Sequence, residues 1–480
     1  MARIADVEGG REKAPELRKQ LRMRHMTMIS LGGVIGAGLF VGSGAVISTV
    51  GPASFISYAI AGLIIVMVMR MLGEMAVASP QIGSFAEYAR ISLGDWAGFA
   101  VGWLYWYFWV IVLAVEAQAG ALIIQGLFDL SSQYQWLISL VLMLLLTGTN
   151  LFSVGSYGEF EFWFASIKVA AIIGFIALGA LYVLGLWPGA SLDFSNLTAH
   201  GGFLPHGALV MFAGVTTLIF SFVGAEIVTL AAAESREPER SVARATNSVI
   251  WRVMLFYVLS IFLIVTIVPW NDPALEPRGQ TRGPFVAALE QINFPGAATI
   301  MSVVVLVAVL SCLNSGLYTC SRMLNAIARR GDAPKAFLRV NGRGVPVWSI
   351  LISTAVGYLS VIAAFYAPNA VFTFLLNTSG AVALFVYLLI AISELRLRRR
   401  IERENPERLA IKMWLYPYLT WLTIGVFVVV IVAVGINADT RSQLLLTLLS
   451  IGVVLVAYAL TWYFGKRKGE SGPSRMPVDR

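Results

Sequence analysis

Long apolar runs constrain this chain more than any other feature of its sequence. Twelve blocks of 18 or more mainly apolar residues recur along it, centred near residues 40, 65, 110, 140, 172, 218, 257, 312, 355, 382, 424 and 452. A run of that length crosses the hydrocarbon core of a bilayer as one α-helix. Hydrophobic residues make up 58% of the chain and charged residues only 13%, which excludes an ordinary soluble domain. We therefore predict an all-α membrane protein with twelve transmembrane helices.

The distribution of basic residues predicts the orientation of these helices. The chain has a formal net charge of +8, and most of its Lys and Arg residues fall in the termini and in alternate loops. Inner-membrane proteins keep such loops in the cytoplasm. We therefore expect a bacterial inner-membrane protein with both termini cytoplasmic. Contacts with lipid headgroups explain the positive charge without a nucleic-acid partner.

Glycines interrupt the first and sixth blocks. The segment LGGVIGAGLFVGSG (31–44) contains six glycines, and Gly224-Ala225-Glu226 interrupts VTTLIFSFVGAEIVTLAAAE (215–234). The two segments are five blocks apart, an odd number, so the second half would run inverted relative to the first. Interruptions at matching positions of two halves indicate the central site of a secondary transporter. Close helix packing is the alternative for either motif alone.

Interrupted helices at membrane depth predict the chemistry of a ligand. Unwinding near Gly36–Gly38 would free backbone N–H and C=O groups, which are tolerated there only when they line a cavity. A half-helix starting near Leu39 would direct its positive dipole end at a carboxylate. The freed carbonyl groups suit an ammonium, so the pattern predicts a zwitterion.

Ionisable side chains within the blocks are functional candidates, because each costs about 2.5–3.5 kcal/mol at a helix centre on insertion scales. Lys168 lies about eleven residues into the fifth block and is predicted to be a fixed cation or a proton carrier. Snorkelling, or structural pairing with Glu159 or Glu161, is the alternative. Glu116 in the third block can supply a coupling proton or a partner for an amine, with a structural hydrogen bond as the alternative.

Other polar and aromatic residues carry weaker predictions. Glu226 lies on the interruption itself and is a candidate for the same ligand, whereas Glu234 is expected at the cytoplasmic surface as part of an arginine-paired gate. Asn314 in the eighth block can bond a neighbouring helix or the substrate. The run WLYWYFWV (103–110) is typical of a lipid interface or of packing. Cys312 is typical of small apolar filler.

Motifs of other protein classes are missing from the sequence. It contains no nucleotide-binding loop, nucleophile elbow or HExxH motif, and its three histidines lack metal-ligand spacing. We therefore expect no enzyme activity, no ATP-driven pump, no cofactor and no metal site.

Long stretches of the chain resemble the amino acid transporter family of the amino acid–polyamine–organocation superfamily. They include RHMTMISLGGVIGAGLF (24–40), MRMLGEMAVASPQIGSFAEYA (69–89), YGEFEFWFASIKV (157–169) and SCLNSGLYTCSRMLNAIARRGDAP (311–334). The last two are similar in particular to members that transport 4-aminobutyrate (GABA). The resemblance covers about residues 22–462. It implies a LeuT-like fold of 5+5 inverted repeats with two extra C-terminal helices, and proton-coupled import of GABA and related short ω-amino acids by alternating access.

The resemblance also implies roles for individual residues. The substrate carboxylate would be held by Ile35, Gly36, Ala37, Gly38 and Leu39, and the opposite wall would be formed by Ser221, Phe222, Gly224 and Glu226. The Lys168 ammonium would stand where sodium-driven relatives hold an ion, and Glu116 would take part in proton coupling. Because the amine of GABA lies three methylenes from its carboxylate, we expect either Glu116 or Glu226 to receive it.

These expectations divide the chain into four parts: a basic cytoplasmic tail (1–24), a ten-helix transport core (25–396), two accessory helices (397–465) and a C-terminal cytoplasmic tail (466–480). The expected partners are an amino acid, a proton and the lipid bilayer, and no oligomeric state is indicated. Two alternatives remain open. One is a permease for another amino acid, such as proline or an aromatic α-amino acid, and the other is a sensor that has kept the site but lost transport.

Overall fold

The computed structural model describes residues 35–79, 85–152, 157–212, 215–226, 238–275, 283–341, 345–436 and 438–467. Within these ranges no β-strand is present, apart from a single bridge between Leu184 and Leu192. The prediction of an all-helical membrane protein is confirmed.

The α-helices of the described ranges are numbered here in chain order. They are α1 (Ala37–Phe40), α2 (Gly42–Val50), α3 (Ser54–Ala78), α4 (Phe85–Leu93), α5 (Asp95–Phe128), α6 (Gln135–Phe152), α7 (Tyr157–Val183), α8 (Val215–Phe222), α9 (Pro238–Arg252), α10 (Ser260–Ile267), α11 (Pro284–Ile292), α12 (Ala297–Arg329), α13 (Val347–Tyr366), α14 (Pro368–Glu404), α15 (Tyr418–Ile436) and α16 (Ala438–Arg467). A π-helical segment, Val253–Leu259, joins α9 to α10.

Ten helical segments of the described chain are long and apolar enough to cross a membrane. The first and sixth apolar blocks are not among them: Ala37–Val50 forms a shorter apolar helix, and α8 ends at Phe222. The count of twelve membrane crossings, which includes these two blocks, stays a prediction, and so does the inverted repeat.

Glycine backbone geometry accounts for both short helices. Gly36 has φ −142° and ψ −148°, which is extended rather than helical, and α1 begins at the next residue. The expectation that the half-helix starts near Leu39 was therefore two residues too late, because Ala37 and Gly38 are already helical. Beyond the end of α8, Gly224 has φ 105°. Side-chain-bearing residues rarely adopt that conformation.

Helix α5 is the central element of the described structure. Its 34 residues pack against α6, α12, α13 and α14, and α1 contacts α5, α8 and α12. Helix α3 packs against α8 and α9 on another side of the bundle. The interrupted segments α1 and α8 therefore meet each other beside two long continuous helices, and the functional candidates gather at that meeting point.

Candidate functional site

Helices α1 and α8 touch through their backbones. A Cβ atom built on Gly38 would lie 2.8 Å from the Cα of Ser221 and 2.9 Å from Cδ1 of Phe220. Real Cβ atoms essentially never make contacts that short, so the glycine is required for this approach. Gly38 therefore allows the two interrupted segments to meet, rather than providing an unwound residue.

The carboxylate of Glu116 on α5 binds the start of α1. The Ala37 N–H donates to both of its oxygens at 3.2 Å, and the side chain is 1% exposed. A Cβ atom on Gly36 would lie 2.6 Å from Oε1 of Glu116 and 3.0 Å from Sγ of Cys312. The missing side chain at Gly36 thus lets an anion reach an N–H at the positive end of α1.

A small cavity opens beside this contact. Its lining residues are Gly38, Phe108, Trp109, Val112, Glu116, Phe220, Ser221, Val223 and Cys312. The cavity has about 10 Å³ of space, close to the minimum that one water molecule needs. The site is therefore closed, and the walls must separate before a larger molecule can enter.

Three of the lining residues were predicted from the sequence, namely Gly38, Glu116 and Ser221. The other six were missed. Phe108, Val112 and Glu116 follow one another at intervals of four, so they lie on one face of α5. Counting back from Glu116 in steps of four could have identified Val112 and Phe108 from the sequence. No comparable pattern pointed to Cys312.

Lys168 lies in a buried ion pair next to this site. Its Nζ is 4.0 Å from Oε1 of Glu161, and both side chains are inaccessible to solvent. The Ser311 hydroxyl donates to the same carboxylate at 2.7 and 2.8 Å, which joins α7 to α12. Lys168 also interacts electrostatically with Glu116. The Lys168 amino group therefore lies within electrostatic range of the carboxyl group at the start of α1.

Glu226 is placed in a different cluster, outside the cavity lining. Its carboxylate accepts hydrogen bonds from the Gly224 N–H at 3.1 and 3.0 Å and from the Tyr387 hydroxyl at 3.0 Å. The Tyr105 hydroxyl faces the same group, and Arg252 interacts with it electrostatically. We call Glu226, Tyr105, Tyr387 and Arg252 the inner cluster.

Two other predicted residues also lie away from the cavity. Asn314 accepts a hydrogen bond of 2.8 Å from the side chain of Asn150, which links α12 to α6. Phe222 packs against Tyr58 and Tyr257, with ring centroids 6.1 and 4.5 Å away. Both residues hold helices together in this closed arrangement.

The remaining candidates are buried or undescribed. Ile35 and Leu39, on either side of the start of α1, are 0% and 1% exposed. Glu234 lies outside the described residues, so its role as a gate stays a prediction. In the part of the chain that the structure covers, no three His, Cys, Asp or Glu side chains form a potential metal site.

Comparison with known proteins connects this geometry to a family. A family model described as "Amino acid permease" matches residues 25–470. The gamma-aminobutyric acid permease of Bacillus subtilis is 50% identical over 464 residues, covering 96% of this chain and 97% of the relative. A probable GABA permease of Pseudomonas aeruginosa is 51% identical, covering 89% of each chain. The gamma-aminobutyric acid permease of Escherichia coli K12 is 48% identical, covering 92% of this chain and 93% of the relative.

Proposed function

Because the chain belongs to the amino acid permease family, we propose that it is a proton-coupled symporter that imports GABA and related short ω-amino acids by alternating access. Family membership makes it a multi-pass membrane transporter rather than an enzyme. The observation that carries the proposal for the site is the buried Glu116 carboxylate on the first N–H of α1. The Glu116 carboxyl group already accepts the hydrogen bond that the carboxylate of an amino acid would accept.

Glu116 and the substrate carboxylate compete for the same group in this proposal. While the Ala37 N–H is bound to an ionised Glu116, a second carboxylate is repelled by the like charge at short range. A proton on Glu116 removes that charge and weakens its hydrogen bond with the N–H, so that the ionised carboxylate of the substrate can replace it. Substrate and proton therefore bind together, which is the requirement for symport.

The ammonium of GABA then needs a different partner. Glu226 is engaged by Gly224 and Tyr387, and a protonated Glu116 offers no charge. We assign the ammonium to the aromatic wall formed by Phe108 and Trp109, because a cation over an aromatic face is stabilised by about 0.5–2 kcal/mol. The alternative from the sequence, in which Glu116 or Glu226 receives the amine, stays a prediction.

Lys168 supports the coupling step as a fixed positive charge. Its pairing with Glu161 keeps the ammonium in place inside the bilayer, where an unpaired charge is unfavourable. We propose that Lys168 stands in for a bound sodium ion and stabilises Glu116 once the proton has left. Transport would then need protons and no sodium.

The inner cluster is proposed to close the cytoplasmic route out of the cavity. Tyr105 lies about one helical turn before Phe108 on α5, toward the short helix α4 that holds Arg90. Tyr387 lies on α14, which ends in an arginine-rich segment. Because basic loops are cytoplasmic, the cluster separates the cavity from the cytoplasm. Release of substrate would require the hydrogen bond from Tyr387 to Glu226 to break.

The proposed orientation has both termini in the cytoplasm of a bacterial cell. It is supported by the excess of basic residues in the termini and alternate loops. The proposed organisation is a ten-helix core (25–396) of two inverted repeats, followed by two accessory helices (397–465). The closeness of the interrupted segments α1 and α8 supports this arrangement, since the first helices of two such repeats meet at the substrate site.

Uptake of labelled GABA into proteoliposomes tests the function. We expect accumulation when a proton gradient is imposed and none when a sodium gradient alone is imposed. Competition with unlabelled proline and aromatic amino acids separates GABA from the alternative substrates, which should compete weakly. Accumulation driven by sodium alone would overturn the role of Lys168, and binding without any uptake would indicate the sensor instead.

A further inference from the structure

A pair of buried carboxyl groups lies outside the cavity lining, where α3 and α14 meet the accessory helix α15. Glu74 on α3 is 1% exposed and Glu394 on α14 is 0% exposed. Each has one oxygen, Oε1, that finds no hydrogen-bond partner among the described residues. Buried carboxylate oxygens are normally satisfied, so these two require an explanation.

Glu74 fastens the segment between α14 and α15 onto the transport core. Its Oε2 accepts hydrogen bonds from Nη1 of Arg398 and from the Met413 N–H, both at 2.5 Å. We call these two contacts the clasp. Beside it, Nε of Arg70 donates to the carbonyl of Lys412 at 2.9 Å. The clasp therefore holds α3 to α14 and to the accessory part of the chain.

Glu394 lies one helical turn before Arg398 and has only one donor. The Thr420 hydroxyl of α15 donates to its Oε2 at 3.1 Å. The titratable and charged groups that face it are Glu74 from α3, Arg398 and Glu402 from its own helix, and Tyr416 from the connecting segment. Arg70 interacts electrostatically with Glu74, and the cation that faces both carboxyl groups is Arg398.

That cation is already committed elsewhere. Arg398 donates to Glu74 at 2.5 Å and to Glu402 at 2.8 Å, and its guanidinium lies 4.6 Å from the ring centroid of Tyr416. No guanidinium hydrogen bond reaches Glu394 in the described structure. An ionised Glu394 would therefore be a buried charge facing the like charge of Glu74, which is a strongly unfavourable arrangement.

We propose that Glu394 is a second proton-binding site, separate from the substrate cavity, and holds its proton as a neutral carboxylic acid while the clasp is closed. When the proton leaves for solvent, the new carboxylate repels Glu74 and weakens its contacts with Arg398 and Met413. Because α3 packs against α8 and α9, weaker contacts at the clasp allow α3 to move and so affect the interrupted segment α8. The occupancy of Glu394 thereby links cytoplasmic pH to the mobility of the transport core.

Stability measured against pH tests the site without any assumption about transport. A glutamate in the unfolded chain ionises at about pH 4.3, so above that pH the folded protein holds one more proton. Stability that depends on this proton falls as pH rises, until the folded site itself ionises. We expect the unfolding equilibrium constant of the wild type, divided by that of Glu394→Gln, to rise by up to about tenfold per pH unit.

The matched control is Glu404→Gln, which neutralises a carboxylate on the same helix that is 56% exposed and pairs with Arg400. It should keep the wild-type pH slope. If Glu394→Gln does not fold, Glu74→Gln serves instead, because it leaves Arg398 to pair with an ionised Glu394 and should also reduce the slope. Parallel stability curves for the wild type and the Glu394 or Glu74 variant would overturn the proposal.

A second experiment tests the link to transport, and this part rests on the proposed function. GABA counterflow is measured with the same pH on both sides of the membrane. Wild-type exchange should slow at alkaline pH more than exchange by Glu394→Gln, in which Glu116 is the remaining coupling group that loses a proton. Equal slowing of both proteins would refute the link. Failure of the wild type to exchange GABA at any pH would instead refute the proposed function, while the stability slopes still decide whether Glu394 binds a proton.

Discussion

Substitution of Gly38 by alanine tests the meeting of the interrupted helices. The added Cβ would lie 2.8 Å from the Cα of Ser221, a backbone atom that cannot rotate away. Overpacking of this kind costs about 1–3 kcal/mol. Alanine also gains about 0.8–1.0 kcal/mol over glycine in a helix, so the net loss of stability should lie between about 0 and 2 kcal/mol.

Gly42, one turn further along the same segment, provides a control with the opposite sign. A Cβ there would lie 3.2 Å from Cδ2 of Leu376, the end of a flexible side chain that can move. Gly42→Ala should therefore gain up to about 1 kcal/mol from helix propensity. The two variants should differ by about 1–3 kcal/mol, which corresponds to about 5- to 150-fold in an equilibrium constant.

Two measurements on the purified variants compare them. Thermal stability in detergent should be lower for Gly38→Ala than for Gly42→Ala. The half-saturation concentration for GABA uptake should be higher for Gly38→Ala than for Gly42→Ala, because the substrate must bind between segments that no longer fit together. If both variants show the same stability and the same half-saturation concentration, the backbone contact between α1 and α8 is not part of the transport site.

Three further variants probe the coupling groups and the inner cluster. Lys168→Ala should abolish accumulation driven by a proton gradient while leaving GABA exchange measurable; full accumulation by the variant would contradict a coupling role. Glu116→Gln imitates the protonated acid, so uptake should decline less steeply with rising pH than in the wild type, and a wild-type pH profile would return the residue to a structural role. Tyr387→Phe removes a hydrogen bond to the buried carboxylate of Glu226, worth about 1.5–3 kcal/mol. In Tyr387→Phe, a reagent added from the cytoplasmic side should therefore alkylate Cys312 faster than in the wild type, by about tenfold or more. An unchanged rate would show that the inner cluster is no barrier.

The positions of the helices could be predicted from the sequence because membrane crossing depends on local composition. Each long apolar run needs only its own residues to satisfy its backbone hydrogen bonds in lipid. The glycine interruptions are local in the same sense, and they pointed to Gly38, which meets Ser221, a residue that the family resemblance implied. The start of α1 was misjudged by two residues because glycine permits unwinding without requiring it.

The partners of the polar groups could not be predicted, because they depend on which helices are neighbours. Glu226 was expected in the substrate site, yet its hydroxyl partner is Tyr387, 161 positions along the chain. The position of Glu226 on the interruption gave no sign of that contact. Trp109 belongs to the cavity although its surroundings in the sequence are typical of a lipid interface.

A structure determined with bound GABA tests the central claim most directly. We predict the ligand between Gly38 and Ser221, with its carboxylate within hydrogen-bonding distance of the Ala37 N–H and with Glu116 released from that group. Ligand density elsewhere, with the contact between Glu116 and Ala37 unchanged, would contradict the account.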